Sequence, residues 1–212
     1  MTDIGNNDIT HVFFPTLIRV CEYPNFAREK TRMLEAAYQI RDADERGREK
    51  SQTDYTLGYT SYFTETNLKE VAAFKGLAAF LQDKAVEFAQ AMRYDLSSSR
   101  VLLSKFWINI NPKHSFHPEH IHAHTLFSGV FYLSATPDSG SITFKDPREV
   151  RLMVTPPTSE TTLENTETVS LPPTEGNALL FPAWLTHSVQ QNPTNRDRVS
   201  LAYNFRLKSL DY

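Results

Sequence analysis

The stretch His114-Ser-Phe-His117-Pro-Glu-His120-Ile-His122-Ala-His124-Thr-Leu-Phe-Ser128-Gly-Val-Phe-Tyr-Leu133 holds five of the chain's seven histidines, followed by an apolar, β-prone run. His-Ile-His-Ala-His at 120–124 alternates imidazoles with small or apolar residues. In an extended strand successive side chains point to opposite faces, so His120, His122 and His124 would share one face of a strand over 120–133. A solvated face would more cheaply use Lys, Glu or Thr. Imidazoles at this density are ligands for first-row transition metals, or acid–base groups.

Downstream, short β-type runs continue between Pro, Gly, Asn and Ser: 141–145, 149–154, 167–171, 177–181, 186–190 and 199–207, with 101–110 upstream. Strands at this spacing predict an antiparallel sandwich or barrel, not a βαβ sheet. The Pro/Thr/Glu-rich segment 156–165 reads as a loop over one end. The first hundred residues differ. They predict an edge strand over 11–20, a helix over 24–42 and an exposed loop over the charged, aperiodic residues 41–54. A short strand near 58–63 and a helix over 67–92 follow, the helix broken near Lys75-Gly76 and capped by Thr66 or Asn67. The expected fold is one α+β domain over 1–212. Residues 1–100 give helical support with an edge strand, and 101–212 form a double-stranded β-helix (jelly roll).

Composition narrows the function classes. The 212 residues are 40% hydrophobic and 22% charged, enough for one domain with a large core. The net charge is −3 and no long Lys/Arg block occurs, which predicts neither a nucleic-acid nor an anionic-membrane partner. Cys21 is the single cysteine, so an intramolecular disulfide and a zinc–thiolate cluster are excluded. The polar N-terminus lacks a signal-peptide pattern and no apolar stretch approaches membrane-spanning length. The expectation is a soluble, cytoplasmic protein.

Strand geometry limits which imidazoles cooperate. Residues two apart on a strand lie ~6–7 Å apart at Cα and residues four apart ~13 Å. Metal–imidazole bonds are ~2.0–2.1 Å, so the pair is His120/His122 or His122/His124. A third ligand must come from elsewhere, and His187, in Phe181-Pro-Ala-Trp-Leu-Thr-His187, is the one histidine downstream. Further on, Arg198-Val-Ser200 puts a guanidinium and a hydroxyl on one strand face. Together they suit a carboxylate, taken bidentately. An Arg on an apolar strand needs such a reason, or a local partner such as Asp197, because burying an unpaired charge is costly.

The ordered set Trp107-Ile-Asn109, His120-Ile-His122, Ser128-Gly-Val-Phe-Tyr-Leu133, Ser139-Gly-Ser-Ile-Thr-Phe-Lys-Asp146-Pro-Arg148, Gly176-Asn-Ala-Leu-Leu-Phe-Pro-Ala-Trp-Leu-Thr-His187 and Arg198-Val-Ser-Leu-Ala-Tyr-Asn204-Phe spans roughly residues 101–207. It resembles the iron(II)- and 2-oxoglutarate-dependent oxygenases, specifically a small family common in marine bacteria and their phages. The resemblance implies that His120, His122 and His187 hold Fe(II), and that Arg198 and Ser200 grip the distal carboxylate of 2-oxoglutarate. Asn109 and Tyr132 would hydrogen-bond the same co-substrate. The implied reaction uses O2, decarboxylates 2-oxoglutarate oxidatively to succinate and CO2, and hydroxylates a small-molecule or peptide substrate.

One position departs from the wider superfamily, where a His-X-Asp or His-X-Glu supplies a carboxylate ligand. Here His122 stands in that place, a change that could also favour zinc, nickel or copper. The literal His-X-Glu is His117-Pro-Glu119, awkward in a paired strand because of its proline. His124 is then expected near the ligands or the substrate, His114 and His117 at the entrance or in solvent, and Trp107 and Trp184 in the core. Two rivals remain: a cupin-type three-histidine dioxygenase that needs no 2-oxoglutarate, and a non-enzymatic metal-binding β-sandwich with a closed site recruiting His124 or Glu119.

Overall fold

The computed structural model describes residues 9–55, 57–64, 66–148, 153–154 and 156–209. Its strands are β1 (Arg19–Glu22), β2 (Tyr59–Thr60), β3 (Ser99–Asn111), β4 (His117–His120), β5 (Phe127–Ser134), β6 (Ile142–Lys145), β7 (Thr168–Leu171), β8 (Asn177–Pro182), β9 (His187–Val189) and β10 (Arg198–Ser209). They form a six-stranded sheet ordered β1-β8-β5-β10-β3-β2 and a four-stranded sheet ordered β4-β9-β6-β7. Every pairing is antiparallel. The helices are α1 (Phe26–Ala43), α2 (Glu45–Asp54) and α3 (Lys75–Ala91).

Strand alternation distributes the core to two layers. From β5 and β10, Phe127, Phe131, Leu201, Tyr203 and Phe205 face the helical layer, where α1 brings Met33 and Ala37 and α3 brings Leu77, Leu81, Ala85 and Phe88. On the opposite face Tyr132, Leu179 and Phe181 meet Ile142 and Phe144 of the smaller sheet, with Phe144 edge-on to Phe181 at 4.9 Å. Gly129 permits the close approach of β5 to its neighbours. A Cβ there would lie 2.2 Å from the Leu179 carbonyl and 2.3 Å from the Tyr203 ring. The architecture is the expected α+β double-stranded β-helix with helices bracing one sheet.

Several elements differ from expectation. Residues 45–54 are helical, not a loop: the Asp44 carboxylate accepts from Gly47 N at 2.9 Å and Ser51 Oγ donates to Gly47 O at 2.6 Å. The residues that α2 buries are Gly47 and Ser51, so no apolar period marks it. The first strand is confined to Arg19–Glu22. The run 120–133 is not one strand. β4 ends at His120 in the smaller sheet and β5 begins at Phe127 in the larger, so the chain changes sheets between them, with His124 at φ 59°. A 3-10 turn at Leu68–Glu70 precedes α3, whose N-cap is Phe74, not Thr66 or Asn67. Of the expected strand 149–154, residues 149–152 lie outside the described residues, and Met153 and Val154 are in no strand. Residues 156–165 carry no helix or strand, as a loop should. Among the described residues no helix is long and apolar enough to cross a membrane.

Candidate metal centre

The histidines converge through the pairing of the smaller sheet. His120, the last residue of β4, stands opposite His187, the first of β9, and Phe144 of β6 flanks His187 on the other side. His122 lies two residues past the strand end, where its backbone N–H donates to Ala183 O at 3.0 Å. Ring centroids are 4.2 Å apart for His120–His187, 5.1 Å for His120–His122 and 5.3 Å for His122–His187. One nitrogen from each lies within 4.8 Å of the others, a group that can hold a metal ion.

Hydrogen bonds orient two of these rings. His120 Nδ1 lies 2.8 Å from Pro118 O and His187 Nδ1 lies 2.9 Å from Leu185 O. A carbonyl only accepts, so each Nδ1 carries the proton and each Nε2 keeps its lone pair. Around His122 the partner is a side chain, Asn204 Nδ2, 3.3 Å from Nδ1. Burial, then the neighbouring imidazoles, holds His187 down to about 3 and His122 to about 4; burial lowers His120 as well. All three are therefore neutral at pH 7, the state in which imidazole binds metal.

A cavity of about 270 Å3 opens beside them, and its walls include all seven residues that the family resemblance implies for metal and co-substrate: His120, His122, His187, Arg198, Ser200, Asn109 and Tyr132. On β10, Arg198, Ser200 and Ala202 point into the cavity while Val199, Leu201 and Tyr203 enter the core. Ser200 sits between Asn109 on β3 and Tyr132 on β5, so the three form a row across adjacent strands. Asn109 Oδ1 is buried without a partner, and burial pushes the Tyr132 phenol up to about 12, so it stays protonated.

Arg198 is 2% exposed. Its Nη1 donates to the carbonyls of Ser139 (2.6 Å), Gly140 (3.0 Å) and Gln190 (3.3 Å). Among the described residues no carboxylate pairs with it. The adjacent Asp197 instead accepts from Tyr38 Oη at 2.9 Å. Burial lowers the guanidinium's pKa, yet it remains a cation with three carbonyl dipoles on one nitrogen.

Other sequence candidates stand apart from the cluster. Glu119 is exposed and 3.5 Å from Lys145. His124 and His114 are exposed in left-handed backbone, at φ 59° and 72°. His117 packs its ring 4.2 Å from His120 and 5.3 Å from Tyr55, at the cavity wall. Trp107 is buried but lines the cavity 6.0 Å from His122. Trp184, expected in the core, is 53% exposed, because it sits in the turn between β8 and β9. Tyr55, Tyr62 and Phe63 also line the cavity; the sequence points to the loops near 41–62, 112–119 and 155–166 for selectivity, but none of them carries a readable ligand code. These three aromatics follow α2, whose residues read as a solvated loop.

Residues 105–204 match a protein-family model described as "Putative 2OG-Fe(II) oxygenase". No curated protein sequence matches the chain. Among solved structures it is similar to a Pseudomonas putida prolyl-4-hydroxylase, at 16% identity and TM-score 0.60 over 90% of this chain and 92% of that one. EctD from S. alaskensis is similar at 16% identity and TM-score 0.60, over 90% and 73% of the two chains. HygX from Streptomyces hygroscopicus, solved with nickel and 2-oxoglutarate, gives 16% identity and TM-score 0.54 over 90% and 83%. These likenesses agree on the fold. The matched segment carries the three-histidine cluster and the Arg198 face, so it is over the site itself that the chain is similar to the 2OG-Fe(II) oxygenases.

Proposed function

We propose that His120, His122 and His187 hold iron(II), that Arg198, Ser200, Asn109 and Tyr132 hold 2-oxoglutarate, and that the enzyme hydroxylates a small-molecule or peptide substrate. The observation that carries this reading is a buried guanidinium that, among the described residues, has no carboxylate partner, in the wall of a cavity that also holds three neutral imidazoles. The donor set fits a first-row divalent metal: three nitrogen ligands, two with the proton fixed on Nδ1 by a carbonyl. Bound there, iron(II) supplies the redox chemistry that couples O2 and decarboxylation of 2-oxoglutarate to substrate oxidation.

The chain's own residues do the rest. Arg198 meets the distal carboxylate with the N–H groups that the backbone carbonyls leave free, and the cost of its burial is offset only when that anion arrives. Ser200 and the protonated Tyr132 donate to the same co-substrate from one row of the sheet. Phe181, Ile142 and Val189 make the inner wall apolar, which excludes water and strengthens these charge-assisted bonds. Tyr62 and Phe63 line the cavity and are at least partly exposed, which supports a substrate contact for them. A net charge of −3 supports a partner other than nucleic acid, and a single cysteine supports a reducing, cytoplasmic setting and one catalytic unit without disulfides.

Anaerobic titration with iron(II) and 2-oxoglutarate tests the assignment. The wild type should develop a metal-to-ligand charge-transfer band that His187→Ala abolishes. Arg198→Ala should need at least ~10-fold more 2-oxoglutarate, since each charge-assisted bond is worth about 1.5–3 kcal/mol. A band that persists in His187→Ala, or a 2-oxoglutarate titration that Arg198→Ala does not shift, would overturn it.

A further inference from the structure

We propose that Asn204 is a positioning residue that sets the tautomer of His122, presenting Oδ1 to the Nδ1 proton and thereby leaving Nε2 for the metal. The inference rests on the reading of His122 as a ligand. Asn204 follows Arg198, Ser200 and Ala202 at strand spacing on β10, so it belongs to the face that builds the site. It is 7% exposed, with Nδ2 3.3 Å from His122 Nδ1. Its Oδ1 is buried and has no hydrogen-bond partner among the described residues.

The pairing of β10 with β3 also changes register here. Asn204 lies opposite Lys105 and Phe205 opposite Leu103, so Ser104 is the extra residue, and its hydroxyl donates to Asn204 O at 3.0 Å. The bulge lies on β3, so β10 keeps its alternation through Asn204, and the Ser104 hydroxyl anchors the Asn204 backbone. The carboxamide is thus held against one imidazole edge by the sheet itself.

Chemistry then decides which end of the amide must face the ring. With Nδ2 donating to Nδ1, the His122 proton sits on Nε2 and that nitrogen has no lone pair to give. A half-turn of the amide places Oδ1 on Nδ1, gives the orphaned oxygen a donor and frees Nε2. His120 and His187 need no such device, because backbone carbonyls already fix their Nδ1 protons. Of the three histidines, His122 is the one whose orientation depends on a replaceable side chain.

Two measurements test the role without turnover. Long-range 1H–15N spectra of the zinc-loaded wild type should show His122 bound through Nε2 with a proton on Nδ1. Visible titration with cobalt(II) should give a ~10–100-fold weaker affinity for Asn204→Leu, the cost usual for losing such a partner, and recovery in Asn204→Asp, which keeps the acceptor. Coordination of His122 through Nδ1, or cobalt affinity of Asn204→Leu within twofold of wild type, would overturn the proposal. His122→Ala separates the two readings. If it too binds cobalt like wild type, the ligand assignment fails; if it loses cobalt while Asn204→Leu does not, only the role of Asn204 fails. Should Asn204→Leu not fold, the wild-type spectra decide.

Discussion

Arg198 and Gly140 share one small volume: Nη1 donates to the Gly140 carbonyl at 3.0 Å, and a Cβ on Gly140 would stand 2.6 Å from that nitrogen. Gly140 also has φ +98°, in the region that L side chains avoid. Gly140→Ala is expected to cost about 1 kcal/mol or more of stability and to displace the guanidinium. The KM for 2-oxoglutarate should rise several-fold while iron(II) affinity stays near wild type. Steady-state assays at varied 2-oxoglutarate, beside a metal titration, check this split.

The cap of α2 is a second lever on the same cavity. Asp44 accepts from Gly47 N at 2.9 Å and from Tyr59 Oη at 2.8 Å, and α2 leads directly into Tyr55 in the cavity wall. Asp44→Ala should lower stability by about 1–2 kcal/mol in urea unfolding. It should also weaken 2-oxoglutarate binding, because Tyr55 pairs with Asn111 (3.0 and 3.2 Å) and packs at a tilt against His117 in the cavity wall.

Alkaline pH should unfold the protein through its tyrosines. Burial first, then the Asp197 carboxylate, raises Tyr38 to about 12; burial raises Tyr132 to about 12 and pushes Tyr55 and Tyr203 up too. The unfolded chain releases these protons near pH 10, whereas the folded one keeps them. Stability is therefore full below pH 10 and lost as pH rises toward 12. Tm measured across pH 8–12 should fall from about pH 10 onward. A flat profile over that range would contradict the burial of these phenols.

Glu119 distinguishes the two His-X-acid readings of the sequence. It is exposed and paired with Lys145, outside the three-histidine group. Glu119→Gln should leave cobalt(II) affinity within twofold of wild type, while His120→Ala lowers it by at least ~100-fold, since a structural metal's binding energy is shared among few ligands. Equal losses in the two variants would place the carboxylate in the centre.

Much of the site was legible because it rests on strand parity. Arg198 and Ser200 face one way on β10 whatever surrounds them, and both reach the cavity. The clustering of His120, His122 and His187 was less secure by that route. His122 is not on a strand, so its approach to His120 comes from the turn between the sheets and the bond to Ala183 O rather than from side-chain alternation. Helix α2 left no apolar period because its buried side is Gly47 and Ser51, so the segment near 41–62 could be read as a place for selectivity while Tyr55, Tyr62 and Phe63 could not be named as cavity residues.

The sequence by itself determined the class of fold and the chemistry on offer: the short-strand texture from 101 onward, the histidine density at 114–124, and a cation with a hydroxyl two residues later. Those are local properties of residue type and spacing. The tertiary structure alone decided which imidazoles meet, that Glu119 turns to Lys145, and that Arg198 is buried against backbone carbonyls. It also brought Asn204 to His122, 82 residues away in the chain. Each of these depends on the pairing of β4 with β9 and of β10 with its neighbours, contacts between segments far apart in sequence.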